Sequence, residues 1–234
     1  MNFGLQIVRR GRIGGSIKAF LFDLDGTLVD SANQTFEAVD LTRVELEYAS
    51  APEKFIYSKI GLPAKDLFED LDLSESELLN AVKLFRSHLS NIKLSENDLY
   101  GGVPEILQML TEKGIKLGVA TNKPTALAIQ SLSDSGIHDY FDFIVGADNS
   151  PPKPDPAIVL RCLELMAIDQ NEAVMIGDRI EDVRAAKAAK VLAIGIAQGA
   201  HSEEYLLTNG ADITYSSMKL FYHKINEGEV LANL

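Results

Sequence analysis

Two aspartates one residue apart, Asp23 and Asp25, close the apolar run Ala19-Phe20-Leu21-Phe22 and lead into Gly26-Thr27-Leu28-Val29-Asp30-Ser31. A short apolar run ending in a turn reads as a buried strand of a parallel sheet. Alternation along a strand would point both carboxylates the same way, where they repel. A divalent cation relieves that repulsion, and paired hard oxygens suit Mg²⁺ better than a soft metal. Taken alone, Asp25 and Asp30 fit turn or helix-cap positions equally well. Three later segments carry chemistry of a matching kind. Val119-Ala120-Thr121-Asn122 sets a hydroxyl and an amide after an apolar run, and Lys153-Pro154-Asp155-Pro156 sets a cation in a loop. Met175-Ile176-Gly177-Asp178 ends another run on a carboxylate, with Asp182 four residues on. Each also has a structural use: Thr121-Asn122-Lys123-Pro124 is a good helix start, Lys153 a solvated loop charge, Asp178 and Asp182 helix caps.

The elements that would position these residues follow from periodicity. Apolar runs recur at Ala19–Phe22, Ile115–Ala120, Phe143–Val145, Ala173–Ile176 and Val191–Ile196, and more weakly at Asp212–Tyr215, with helical patterns between them. That alternation predicts a doubly wound, Rossmann-like parallel α/β sheet. Ligands of such sheets bind beyond the carboxyl ends of the strands, and all four segments fall there. Asp155-Pro156 reads as an N-cap followed by a first-turn proline. Val103, Ile106, Leu107 and Leu110, with Pro104 in the first turn and Gly114 as stop, supply the crossover from the first strand to the second. The chain between is therefore an insertion, and it reads as helical. Ser74-Glu75-Ser76-Glu77 is a capping box, followed by the stripe Leu78, Val82, Phe85, Leu89 and Ile92. Thr35–Tyr48 reads as a partner helix, and Gly61-Leu62-Pro63 as a break. The expected organisation is a flexible extension over 1–17, a core of 18–30 and 100–234, and a helical cap over 31–99. Both linkers of the insertion emerge beside the first aspartates, which suits a lid.

In this order the four segments resemble the signature of the haloacid dehalogenase superfamily of aspartate-nucleophile phosphatases, from about Lys18 to the C-terminal end. The resemblance implies that Asp23 attacks phosphorus and carries an aspartyl phosphate, while Asp25 acts as general acid and then general base. It implies that Thr121 and Asn122 bind the substrate phosphate and that Lys153 sets a fixed positive charge beside nucleophile and phosphate. Mg²⁺ would be held by Asp23, Asp178 and the backbone carbonyl of Asp25. Asp182 would stand one layer out, holding a water of the metal or orienting Lys153. Position 179, arginine here, varies among members. The acid at Asp25 points away from carbon–halogen chemistry. The cap size, the return through Tyr100-Gly101-Gly102-Val103, and Lys153-Pro154-Asp155-Pro156 look most like the phosphoglycolate phosphatase branch. A β-phosphoglucomutase-like phosphoryl transferase is the nearest alternative, with Lys59, Lys65 and Arg86 as candidate cap cations. A phospho-accepting receiver-type signalling module is a rival from another class, disfavoured by the insertion and by Asp25.

Composition narrows the partners. The 234 residues carry a net charge of −12, which disfavours nucleic acid and leaves room for a small phosphorylated metabolite bound by local cations. Cys162 is the only cysteine, so no intramolecular disulfide forms, and its helical spacing with Ile158, Leu165 and Met166 makes it a core residue. No apolar run reaches the ~18 residues of a membrane span, and Arg9, Arg10 and Arg12 are followed by no signal-peptide core, so the expected setting is cytoplasmic. His88, His138, His201 and His223 sit at no motif and read as surface or packing residues.

Overall fold

A computed structural model describes residues 6–9, 12–148 and 150–227. The strands are β1 (Gln6–Arg9), β2 (Arg12–Ser16), β3 (Ala19–Phe22), β4 (Lys116–Ala120), β5 (Phe143–Val145), β6 (Ala173–Gly177), β7 (Leu192–Ile196) and β8 (Ile213–Tyr215). The last six form one parallel sheet in the order β5-β4-β3-β6-β7-β8. β3 is central: the chain first winds outward through β4 and β5, then returns to β3's other side as β6. The direction of winding therefore reverses at β3, and the crevice at its carboxyl end is where such sheets bind ligands.

Alternation along β3 explains its place. Phe20 and Phe22 point into one apolar layer, with Leu117, Val119, Val174 and Ile176, under helices α4 (Val103–Glu112), α5 (Thr125–Asp134) and α9 (Met218–Asn226). Ala19 and Leu21 point into the other, under α6 (Ala157–Met166), α7 (Ile180–Ala188) and α8 (Glu203–Thr208). Burying a side chain of phenylalanine size stabilises by roughly 1.5–3 kcal/mol, so a strand with two such residues on one face belongs at the centre. Cys162 is buried in the second layer, its Sγ 3.4 Å from the carbonyl of Val119.

The insertion folds as α1 (Ala32–Glu45), α2 (Glu53–Lys59), a 3₁₀ turn over Ala64–Phe68, and α3 (Glu75–Asn91). Its own apolar cluster joins Ala38 and Val39 of α1, Ile56 of α2, Leu67 and Phe68 of the turn, and Ala81, Phe85 and Leu89 of α3. The capping box is present: the Ser74 N–H donates to Glu77 Oε2 at 2.8 Å and the Glu77 N–H to Ser74 Oγ at 3.4 Å. Three residues of the expected stripe, Leu78, Val82 and Ile92, are only partly buried, and Ala81 takes an inner position beside Phe85 and Leu89. The linkers run side by side, the Asp30 N–H donating to the Asp98 carbonyl at 2.8 Å and the Tyr100 N–H to that of Leu28 at 3.1 Å. Both therefore leave the core next to Asp25.

Gln6–Arg9 and Arg12–Ser16, within the expected N-terminal extension, pair as two antiparallel strands. Residues 1–5, 10 and 11 of that extension lie outside the described residues, and Ile17 is buried in the core. Pro156 is the residue before α6 rather than its first, and Asp155 Oδ1 accepts the Ala157 N–H at 2.9 Å. Asp178 precedes α7, and Asp182 lies in the first turn of that helix.

Candidate active site

Asp23 follows β3 directly, and its carboxylate turns toward Lys153, whose ammonium donates to Asp23 Oδ1 at 2.7 Å. The same ammonium donates to Asp182 Oδ1 at 2.6 Å and to the Ala120 carbonyl at 2.8 Å, so all three of its N–H groups are engaged. Lys153 reaches this position from the loop after β5 because the Asn122 amide oxygen takes its backbone N–H at 2.8 Å. Asp178, at the end of β6, accepts the Thr27 hydroxyl at 2.9 Å and the Ala200 N–H at 2.9 Å, one on each oxygen. Both oxygens of Asp182 are engaged too, by Lys153 and by the Arg179 N–H at 3.0 Å. All of these acids are buried.

Carboxylate oxygens of Asp23, Asp178 and Asp182 lie within 4.8 Å of one another. Three carboxylates against one ammonium leave two formal negative charges unbalanced in a buried site. The electrostatic consequence is visible in the acids. Burial drives Asp23 up to about 8 against the pull of Lys153, with Asp182 and Asp178 adding to the rise. Burial and then Asp182 lift Asp178 to about 7, against the bonds from Ala200 and Thr27. Burial alone would lower Lys153, but Asp182 and Asp23 outweigh it and hold the ammonium above its ordinary value. The donor set is hard oxygen and doubly negative, which fits a divalent cation such as Mg²⁺. Asp178 receives only neutral donors, from Thr27 and Ala200, whereas Asp182 receives the Lys153 ammonium and so orients it. Gly26 makes room for the group: its φ is +88°, and a Cβ there would stand 2.6 Å from Asp178 Oδ2.

Asp25 stands apart from this cluster. Leu24, between the two aspartates, is anchored in the core, and Asp25 Oδ1 accepts from the Lys123 ammonium at 2.8 Å. Lys123 also donates to Ser131 Oγ at 3.2 Å. Asp25 and Lys123 line a cavity between core and insertion, whose far wall includes Lys59, Gly61 and Arg86. Thr121 is buried at the end of β4; its hydroxyl oxygen accepts the Lys123 N–H at 3.2 Å, which leaves the hydroxyl proton for another acceptor. The Asn122 amide joins two loops: its oxygen accepts the Lys153 backbone N–H and its Nδ2 donates to the Gly61 carbonyl at 3.0 Å.

Sequence reasoning missed Lys123, Thr27 and Arg179. Thr27 and Lys123 each lie inside a quoted motif, so their adjacency was the available signal. Arg179 gave none: its partners are backbone carbonyls of the insertion. The histidines keep to the edges, His88 against Glu45, His138 against Asp139, and His201 with its ring 4.7 Å from that of Tyr205.

Residues 20–196 match the family model of haloacid dehalogenase-like hydrolases. A phosphoglycolate phosphatase of Colwellia psychrerythraea is 34% identical over 192 residues, covering 78% of this chain and 85% of that protein. That of Escherichia coli K12 is 31% identical over 228 residues, covering 86% and 90%. Among solved structures, a haloacid dehalogenase-like hydrolase of Streptococcus pneumoniae superposes with a TM-score of 0.79 at 26% identity, covering 89% of this chain and 98% of that one. A β-phosphoglucomutase of Clostridium difficile has the same fold, with a TM-score of 0.77 at 23% identity over 90% and 96%. The chain belongs to the haloacid dehalogenase-like hydrolases, and within that family it is a phosphatase.

Proposed function

We propose that this phosphatase is Mg²⁺-dependent, acts through an aspartyl phosphate on Asp23, and hydrolyses a small phosphorylated metabolite of the phosphoglycolate type in the cytoplasm. The observation that carries the reading is the buried Asp23–Lys153–Asp182 chain beside Asp178, with Asp23 two residues in sequence from Asp25, which lines the cavity under the insertion. Asp23 and Asp178, with the backbone carbonyl of Asp25, would hold the ion, which when bound supplies positive charge to the phosphoryl oxygens and offsets the two excess negative charges. A carboxylate oxygen of Asp23 attacks phosphorus while the ester P–O bond breaks, and Asp25, carrying a proton, gives it to the departing alkoxide. Asp25, now ionised, takes a proton from a water whose oxygen attacks phosphorus. The Asp23–phosphorus bond breaks, and inorganic phosphate leaves. Lys153 holds Asp23 in place and balances charge on the phosphoryl group, and the Thr121 hydroxyl donates to it. Lys123 fixes Asp25 at the cavity mouth.

Three cations, Lys59, Arg86 and Lys123, line the cavity against one carboxylate, Asp25, in a protein whose net charge is −12. That suits a substrate with a second anionic group, such as a carboxylate near its phosphate. The same cations would also accept a second phosphate, as a mutase reading requires. A panel of phosphomonoesters, with Mg²⁺ and with chelator, tests both: phosphoglycolate should be hydrolysed with Mg²⁺ and spared without it. Activity surviving in a stripped, chelated sample contradicts the metal assignment. Isomerisation of β-glucose 1-phosphate in place of phosphate release would favour the mutase.

A further inference from the structure

The side chain of Arg179 leaves the acidic cluster and reaches the insertion. It is buried, its Nη1 donates to the carbonyls of Ile60 at 2.9 Å and Ser58 at 3.3 Å, and its Nε meets Glu181 at 3.1 Å. Those carbonyls belong to the C-terminal end of α2, where carbonyls lack helical partners and the helix dipole favours a cation. From the other side of the crevice, Asn122 Nδ2 donates to the carbonyl of Gly61, the next residue along. Two core strands, β4 and β6, thus grip one short stretch of the insertion. The stretch is shaped to the grip: Gly61 has φ +81°, and a Cβ there would stand 2.9 Å from Arg179 Cδ and 3.6 Å from the Asp25 carbonyl. Ile60 and Gly61 also wall the cavity that contains Asp25.

Arg179 is equally tied to the chemistry. It adjoins Asp178, and its backbone N–H holds Asp182 Oδ2, whose other oxygen holds Lys153. We propose that Arg179 is a positioning residue that makes phosphoryl transfer conditional on the seated cap: its guanidinium clamps the carbonyls after α2 while its backbone aligns Asp182 and, through it, Lys153. A cap that lifts removes the guanidinium's partners, and a cap that seats restores them together with the cavity wall beside Asp25. This rests on the phosphatase reading for its consequence, but the clamp itself is open to a direct test.

The test uses the full-length protein and its Arg179→Ser and Arg179→Lys variants. Amide hydrogen exchange should quicken on the order of tenfold at Gly61 and Leu62 in Arg179→Ser, with the amides of β3 unchanged. With Mg²⁺ and phosphoglycolate, kcat/KM should fall roughly 10–100-fold, as expected of a small misplacement of the groups around the reacting atoms. For p-nitrophenyl phosphate, a generic ester, the loss should be smaller. Arg179→Lys, which keeps the charge and can reach one carbonyl, should recover part of both. If Arg179→Ser does not fold, Gly61→Ala probes the same contact from the cap and should loosen the same amides. If both fold, the double variant should lose no more than the worse single one, because each breaks the same contact. Unchanged exchange at 60–62, or equal quickening throughout the core, overturns the proposal. So does additive loss in the double variant. If no phosphomonoester is turned over, the phosphatase reading fails while the exchange result still decides the clamp.

Discussion

At the scale of single residues, the two aspartates of the first motif have different partners and should fail differently. Asp25→Asn keeps the nucleophile and loses the proton donor, so turnover should drop by about 10²–10⁴-fold while phosphate label still accumulates on the protein. A rapid-quench experiment with radiolabelled substrate reads both quantities. Loss of label in Asp25→Asn would give Asp25 a part in forming the intermediate beyond acid catalysis. Lys123→Met leaves Asp25 buried without its ammonium, which costs about 3–5 kcal/mol when one partner of a buried pair is removed. Urea unfolding measures that cost, and a loss below about 1 kcal/mol would mean that the pair behaves as a solvated one. The residues of the site were legible in the sequence where each motif is contiguous: Asp23, Asp25, Asp178. What they touch was not, because Lys123 meets Asp25 across 98 positions and Asn122 meets Gly61 across 61. Such pairings are set by how strands are ordered in the sheet.

At the scale of elements, the insertion is proposed to choose the substrate while the core performs the reaction. Replacing 31–99 by a short linker should spoil the ranking of phosphorylated metabolites more than it slows p-nitrophenyl phosphate. It will also leave the Arg179 guanidinium and Asn122 Nδ2 to water. A trimmed protein that folds and keeps its original ranking would make the insertion structural decoration. Within it, Ser74→Ala removes one side of the capping box and should destabilise α3 by about 1 kcal/mol. Faster amide exchange in the first turn of α3 alone is the expected signature. The capping box and the six core strands could be read from the sequence, since helix caps and short apolar runs are local signals. Which residue of α3 faces inward could not: Ala81 is inside where the stripe favoured Leu78 and Val82, since the helix's rotation is set by packing against α1 and the turn that holds Phe68, which are distant in sequence.

At the scale of the whole molecule, excess negative charge in the site links stability to pH and to metal. Asp23 and Asp178 stand at about 8 and about 7 in the folded protein against 3.8 for an ordinary aspartate. The fold therefore keeps protons that the unfolded chain releases, and the stability they confer is complete below about pH 4 and lost as pH rises through 7 to 8. Metal-free protein should lose stability between about pH 5 and about pH 8, and Mg²⁺ should offset most of that loss by replacing the protons. Thermal unfolding in chelator and in Mg²⁺ across that range checks the sign. A chelated protein that grows more stable as pH rises from 5 to 8 would contradict the charge balance of the site. The sheet order that assembles this site was anticipated only as a class, since alternating strands and helices predict winding but not which strand becomes central.

The central claim, hydrolysis through Asp23, is tested most directly by acid-quenching the protein during turnover of phosphoglycolate with Mg²⁺ and locating the phosphoryl group by peptide mass spectrometry. The phosphoryl mass should fall on Asp23, disappear on treatment with hydroxylamine, and be absent, together with turnover, in Asp23→Asn. Sustained turnover by Asp23→Asn, or a phosphoryl group located on another residue, would contradict it.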